Sequence, residues 1–146
     1  MSSIQCYRVT DPRDTLPLTA LDELFIESVG QSLSETVFVY PCSIYFIMEP
    51  EGTRYIASAT LSPNLSLLPG IYQEKGIYLF NVCTHPSYQH QGYMTHLLKR
   101  IIKEDSIYLC VKPDNNVAKD LYLKLGFTYL NTMPNGNELM MYLKEE

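Results

Sequence analysis

The chain has 146 residues, of which 46% are hydrophobic, and it carries a formal net charge of −5. This length predicts one domain spanning residues 1–146, and the apolar content excludes intrinsic disorder. An acidic balance disfavours a nucleic-acid partner, because such partners are usually bound by a basic face.

The N-terminal segment has no apolar run typical of a signal peptide, and no segment is long enough to span a membrane. The four cysteines are Cys6, Cys42, Cys83 and Cys110, and no two of them are closely spaced. We interpret them as free, mostly buried thiols in a reducing compartment. We therefore expect a cytoplasmic protein without a membrane partner, either a monomer or a homodimer.

In chain order, a short strand and an amphipathic helix come first. Residues 6–9 are predicted as a strand that ends at an Asp-Pro turn. Thr19 is suited to cap the helix that follows, and Gly30 to end it. Residues 31–36 are expected to form a second short helix or a loop. The apolar stripe of the first helix consists of Leu21, Leu24, Phe25 and Val29.

Turn-forming residues separate the later strands. Residues 49–52 are predicted to form a hairpin turn, and residues 63–70 a loop. Residues 107–111 are apolar on both faces, which is typical of a central strand. The Asn135-Gly136 pair favours a tight hairpin, because both residues tolerate a positive φ. The predicted strands cover residues 43–48, 54–61, 76–83, 107–111, 128–130 and 139–143.

Two amphipathic helices lie between these strands. Residues 93–103 carry one apolar stripe, and residues 117–125 carry another. Gly126 is expected to end the second helix. The order of elements predicts an α/β fold of the α+β type, with a single-domain mixed β-sheet flanked by helices.

A polar loop joins the strand at residues 76–83 to the helix that begins at Tyr93. The first N–H groups of a helix lack intrahelical partners, and together with the helix dipole they favour a bound anion. Gly92 would let such a ligand approach the backbone closely. An ordinary strand–loop–helix connection has the same spacing, so the spacing alone leaves both interpretations open.

Residues 84–94 read T-H-P-S-Y-Q-H-Q-G-Y-M. This segment resembles motif A of the GNAT superfamily of N-acetyltransferases, whose pattern is V-x-P-x-x-R/Q-x-x-G-x-G/A. Gln89 takes the R/Q position and Gly92 the central glycine, whereas Thr84 replaces the valine and Met94 the final small residue. The resemblance implies the acyl-CoA N-acyltransferase fold, with acetyl-CoA as cosubstrate and no metal.

The same resemblance implies roles for the strand and the loop. The strand around Cys83 would pair with the pantetheine arm through backbone groups of Val82 and Thr84, as a strand added to a splayed sheet would. Acyl-CoA would lie in the cleft between this strand and the strand at residues 107–111. The amide of Val82 would polarise the thioester carbonyl. The pyrophosphate would be held by the amides of Gln89, His90, Gln91, Gly92, Tyr93 and Met94.

Residues 115–127 read N-N-V-A-K-D-L-Y-L-K-L-G-F. Taken alone, this is a capped helix in which Tyr122 could simply be a core residue. The segment is similar to motif B of the same superfamily, N-x-x-A-x-x-x-Y-x-x-x-G-F, at every named position. The resemblance implies that Asn115 bonds near the pantetheine and that Tyr122 protonates the leaving thiolate. A phenol of pKa about 10 can donate to a thiolate whose conjugate acid has a pKa near 8.5.

Acyl transfer also requires a neutral amine. At pH 7, deprotonating a lysine costs about 4–5 kcal/mol, and deprotonating an α-amine about 1 kcal/mol. Many relatives place a glutamate base on the preceding strand, but Tyr78 occupies that position here. The absence of a glutamate at this position slightly favours an acceptor amine of low pKa, or a general base that is reached through water. The base candidates that remain are Glu35, Glu74, Tyr78 and a water held by Asn81.

The histidines are weak metal candidates. The spacing of His85, His90 and His96 relative to Cys83 fits no standard ligand pattern, so no metal site is expected. We expect His85 and His90 to lie in the solvated loop around the phosphates.

Three functions remain open at this stage. The favoured one is transfer of an acetyl group from acetyl-CoA directly to an amine, which could be a small molecule, a peptide N-terminus or a lysine. A non-catalytic acyl-CoA sensor or interaction module on the same fold is supported by the missing strand glutamate. A nucleotide-phosphate binder would use the loop alone.

Overall fold

The computed structural model describes residues 3–10, 18–30, 39–51, 54–68 and 75–144. Seven strands in these ranges form one mixed sheet. The elements are β1 (Ile4–Val9), α1 (Leu18–Val29), β2 (Cys42–Met48), β3 (Tyr55–Ser62), β4 (Ile77–Thr84), a 3₁₀ turn (Pro86–Tyr88), α2 (Tyr93–Ile101), β5 (Ile107–Val111), α3 (Asn116–Leu125), β6 (Thr128–Thr132) and β7 (Glu138–Tyr142). The strand order is β1-β2-β3-β4-β5-β7-β6, and only β4 and β5 run parallel.

This architecture confirms the predicted mixed sheet flanked by helices. β5 has the predicted bounds, because both of its faces are covered by apolar side chains. Two helix ends differ from the prediction. Thr19 is not the N-cap of α1, since the helix already includes Leu18. α2 ends at Ile101 rather than residue 103, because Ile102 is its C-cap and the chain then tightens into a turn in which the N–H of Glu104 donates to the carbonyl of Ile101 at 3.0 Å.

Some predictions concern parts of the chain that lie outside the described residues. They include the turn after β1, the segment 31–36, and parts of the loops at residues 49–52 and 63–70. For α1, the side chains of Leu24 and Phe25 are buried as predicted, whereas those of Leu21 and Val29 are not described.

The predicted hairpin between β6 and β7 is confirmed, and only Gly136 of the Asn-Gly pair uses a positive φ. Gly136 has a φ of 90°, whereas Asn135 does not adopt a positive φ. The Asn135 side chain instead accepts from the N–H of Asn137 at 3.0 Å, and the N–H of Gly136 donates to the carbonyl of Met133 at 2.9 Å. This side-chain turn satisfies the backbone within a longer loop, so Asn135 can keep an ordinary conformation.

The helices divide between the two faces of the sheet. On one face, α2 and α3 bury Leu97, Leu98 and Tyr122 against β3, β4 and β5. On the other face, α1 buries Leu24 and Phe25 against β2 and β4. A ligand that enters the sheet between two strands would therefore meet α3 on one side and α1 on the other.

Candidate active site

β4 and β5 separate toward their carboxyl ends. Only three residue pairs join them, and the last is Leu79 with Leu109. β4 nevertheless continues to Thr84, and there it remains paired with β3 on its other side. A register shift interrupts that pairing near Asn81, which has a φ of 51°. The bulge coincides with the divergence, so the later part of β4 borders a gap in the sheet.

The backbone of β4 presents polar groups to this gap. The N–H of His85 donates to the carbonyl of Ile56 on β3, with N and O 2.8 Å apart. Because backbone groups alternate sides along a strand, Cys83 also faces β3, whereas Val82 and Thr84 face the gap. The Thr84 carbonyl accepts from the Ser28 hydroxyl at 3.0 Å and from the side-chain Nε2 of Gln89 at 3.3 Å. The groups directed into the gap are therefore the N–H and C=O of Val82 and the N–H of Thr84.

The loop at the mouth of the gap ends in a helix start suited to an anion. Gly92 is the N-cap of α2 with a φ of 85°, and it has no side chain that could satisfy the first N–H groups. His90 also has a positive φ, of 63°, so the chain turns sharply before the helix. Gln91 bonds back to the carbonyl of Ser87 at 3.2 Å. The amides around Tyr93 and Met94 are thus positioned as donors for an anion.

Tyr122 lies on α3 in the core beside this gap. The side chain is buried among residues that include Leu98 and Val111, and Val82 packs against the same cluster. Its ring stands 5.6 Å from that of Phe127. Burial raises the pKa of Tyr122 to about 12, so its hydroxyl stays protonated at neutral pH. The structure therefore brings Val82 and Tyr122 into one cluster, with a proton donor on the α3 side.

Asn115 begins α3 as its N-cap. Its Oδ1 accepts from the N–H of Ala118 at 3.2 Å, and Gly126 ends the helix with a φ of 105°. The capped helix expected from the sequence is therefore present. The cap uses one lone pair of the side-chain oxygen, so the amide nitrogen of Asn115 can still donate to a ligand.

The expectation that His85 lies in a solvated loop is wrong. His85 is 5% exposed, whereas His90 is exposed. The N–H of Ser87 donates to Nδ1 of His85 at 3.1 Å, and Nε2 contacts the carboxylate of Glu27. This pairing replaces solvent around the ring. Sequence reasoning missed Glu27, because the two residues lie 58 positions apart and no local pattern links them.

Of the candidates for the general base, the structure describes Tyr78 and Asn81. The Tyr78 ring stacks on Phe80 with centroids 5.1 Å apart, and burial raises the pKa of Tyr78 to about 12. Such a phenol is rarely ionised at neutral pH, so it is a poor base. Glu35 and Glu74 lie outside the described residues, and Asn81 lies at the bulge in β4.

The four cysteines are free, but they are less uniformly buried than expected. Cys42 and Cys83 are buried, Cys110 is half-buried, and Cys6 is exposed because it lies on edge strand β1. Among the described residues, no three His, Cys, Asp or Glu side chains are grouped to hold a metal ion. None of the helices in the described ranges is long and apolar enough to cross a membrane.

The mixed sheet opens between its two parallel strands, beside a helix start suited to phosphates, which is the arrangement that the resemblance implies for binding of acyl-CoA. The model of the acetyltransferase (GNAT) family matches residues 9–127. Because this match spans most of the sequence, the chain belongs to the acetyltransferase (GNAT) family, whose members are N-acetyltransferases. None of the curated proteins compared with this chain matches it significantly.

Solved structures share this fold. The ribosomal-protein-S18-alanine N-acetyltransferase of Escherichia coli has a TM-score of 0.63 and 20% identity, over 97% of this chain and 93% of that one. NAA60 of Arabidopsis thaliana, in complex with a bisubstrate analogue, has a TM-score of 0.67 and 16% identity, over 96% and 97%. yncA of Salmonella typhimurium, with its cofactor acetyl-CoA, has a TM-score of 0.66 and 20% identity, over 99% and 96%. At these identities the likeness shows the fold.

Proposed function

We propose that the protein transfers an acetyl group from acetyl-CoA directly to an amine, with the thioester held in the gap between β4 and β5. The observation that carries this proposal is the early end of the β4–β5 pairing, at Leu79 and Leu109, beside the helix start at Gly92. We propose further that residues 1–146 act as one domain in the cytoplasm.

The chain offers a continuous set of backbone donors for this cosubstrate. The amides from Gln89 through Met94 would grip the pyrophosphate at the start of α2. Val82, Cys83 and Thr84 would line the pantetheine arm. Val82 and Thr84 would form backbone hydrogen bonds with the arm, which would take the place next to β4 that β5 occupies earlier in the strand. The fit is supported by Gly92, which caps α2 with a φ of 85° and has no side chain to bond with the first N–H groups of the helix.

Two residues would act on the reacting atoms. The N–H of Val82 would donate to the thioester oxygen, stabilising the negative charge that develops there. The attacking amine would form the C–N bond as the C–S bond breaks, and Tyr122 would give its proton to the departing thiolate. The nitrogen then loses a proton to water, and solvent returns a proton to Tyr122. A phenol of pKa about 12 carries its proton at neutral pH, but it is a weaker acid than a free phenol, so the transfer depends on direct contact with the thiolate.

The face of the sheet that carries α1 is the proposed entry side for the amine. α3 carries Tyr122 and occupies the opposite face, where the thiolate leaves. A nucleophile that enters from the α1 side would not compete with Tyr122 for space. Since Tyr78 is a poor base, the reacting amine is expected to have a low pKa, as an α-amine does.

A thiol-release assay with acetyl-CoA and a panel of amines tests this function. Tyr122→Phe should lower kcat about 100-fold, at the low end for loss of a general acid, while the Kd for acetyl-CoA stays unchanged. Tyr129→Phe is the matched control, because Tyr129 is 54% exposed on edge strand β6. Equal turnover by Tyr122→Phe would remove the acid role. Tight acetyl-CoA binding without turnover of any amine would favour a sensor, and displacement of acetyl-CoA by ATP would favour a nucleotide site.

A further inference from the structure

Glu27 has no role in the acetyl transfer described above, yet the structure holds its carboxylate in a defined place. It lies in the last turn of α1, where one carboxylate oxygen contacts Nε2 of His85. The side chain of Glu27 is 45% exposed, whereas that of His85 is 6% exposed. One end of the carboxylate is therefore anchored to the protein, and the other is open to a ligand.

The hydrogen bonds of His85 define how it holds Glu27. Nδ1 accepts from the N–H of Ser87, so in the neutral ring the proton lies on Nε2. That proton points at the Glu27 carboxylate, which suits an ionised acceptor. Both ring nitrogens are thus occupied, and His85 acts as a positioning residue that fixes the carboxylate.

α1 places this carboxylate near the proposed thioester position. The Ser28 hydroxyl donates to the Thr84 carbonyl at 3.0 Å, which ties the end of α1 to the end of β4. Thr84 lies two residues beyond Val82, a distance of about 6.6 Å along a strand. α1 packs on the face opposite Tyr122, which is the proposed entry side of the amine.

The sign of the charge decides which part of an acceptor Glu27 would bind. A carboxylate that touches the reacting amine could take its proton as a base, as the strand glutamate does in many relatives. The Glu27 carboxylate is instead anchored to His85, three residues beyond Val82 and so about 10 Å further along the chain direction of β4. This placement suits a positive charge that does not react. We propose that Glu27 determines specificity by binding a second, non-reacting cationic group of the acceptor; this inference rests on the proposed function.

The acceptor class is therefore an amine that carries an additional positive charge. A peptide with a basic residue beside its N-terminus meets this and also has the low-pKa α-amine expected above, whereas a diamine combines the second charge with a reacting amine of higher pKa. Two matched pairs of probes distinguish these sources. One pair is 1,4-diaminobutane and butylamine. The other is a short peptide with lysine or norleucine at its second position. Within each pair, the first member carries one more positive charge than the second at similar size, and it is called the cationic member below.

We expect the wild-type protein to show about fivefold higher kcat/KM for the cationic member of one pair, as one partly exposed ion pair would give. Glu27→Gln should abolish that preference while the Kd for acetyl-CoA stays unchanged. Glutamine retains an oxygen that can accept from His85, so the side chain should keep its place. Glu23→Gln removes the same charge one helical turn earlier and should leave the preference intact.

A preference that survives in Glu27→Gln would overturn the inference, as would a wild-type protein that treats both members of each pair alike. Failure to acetylate either cationic probe would also overturn it. The proposed function is judged separately, by acetyl-CoA binding and by thiol release with the wider amine panel. His85→Asn provides a second variant and should reduce the preference by releasing Glu27, with thermal unfolding monitored to confirm that the protein is folded.

Discussion

Gly92→Ala is the sharpest test of the phosphate-binding loop. Gly92 caps α2 with a φ of 85°, in the left-handed region that a residue with a Cβ adopts at a cost of about 1–2 kcal/mol. The substituted chain can relieve this strain only by turning the peptide units on either side of residue 92. Those units carry the N–H groups that would hold the pyrophosphate, so relief of the strain misdirects the donors.

The variant can lose affinity in either of two ways. Binding either restores the strained backbone, at about 1–2 kcal/mol, or proceeds without one hydrogen bond to a charged phosphate, at about 1.5–3 kcal/mol. Taking about 2 kcal/mol for the easier of the two, the Kd for acetyl-CoA should rise roughly 30-fold. Acetyl-pantetheine lacks the pyrophosphate, so its use as a thioester substrate should change much less.

Isothermal titration calorimetry with acetyl-CoA measures this change directly. Gly136→Ala is the matched control, because Gly136 has a similar φ of 90° and an added Cβ there would meet no atom within 4 Å. It should lower the free energy of unfolding by about 1–2 kcal/mol without changing the Kd. If Gly92→Ala binds acetyl-CoA as the wild-type protein does, the loop does not hold the phosphates and the proposed function loses its main support.

Two further predictions follow from burial. At pH 10 a phenol of pKa about 12 is still about 99% protonated, so ionisation of Tyr122 should cause no loss of kcat below about pH 10. A pH profile of kcat at saturating substrates measures this. A loss of kcat centred near pH 8 that Tyr122→Phe removes would contradict the pKa of about 12. Burial also raises the pKa of Cys83 to about 12 and of Cys42 to about 11, whereas Cys6 is exposed. Iodoacetamide at pH 8 should therefore alkylate Cys6 first, which peptide mass mapping would detect. Alkylation of Cys83 as fast as Cys6 in the folded protein would refute the burial argument.

The sequence predicts those features that depend on local periodicity and on special backbone conformations. β5 is recognisable because all its residues are suited to a strand covered on both faces. Gly92 and Gly126 mark a helix start and a helix end, and both have the positive φ that glycine allows. The hairpin at Asn135 is recognisable as a hairpin, but its turn type depends on whether the asparagine side chain bonds to its own turn.

Features of the site that depend on distant partners are not predictable from local pattern. His85 looks like a loop residue, and only its contact with Glu27 on α1 explains its burial. The gap between β4 and β5 has no local signal either, since both strands have apolar residues before and after Leu79 and Leu109. It is expected only from the resemblance to motif A. The bulge at Asn81 has a local signal, because asparagine tolerates a positive φ, but that signal alone does not show that the strands part there.

An acidic chain can hold a diphosphate here because the proposed donors belong to the backbone. Residues 84–94 contain no lysine or arginine, and the chain carries a net charge of −5. Oriented amides at a helix start require a backbone conformation rather than particular side chains. This explains why Thr84 and Met94 can depart from the motif while Gly92 retains it: at Gly92 the conformation itself, with a φ of 85°, requires the residue type. Binding of the phosphates should therefore depend far more on Gly92 than on any charged side chain in the loop.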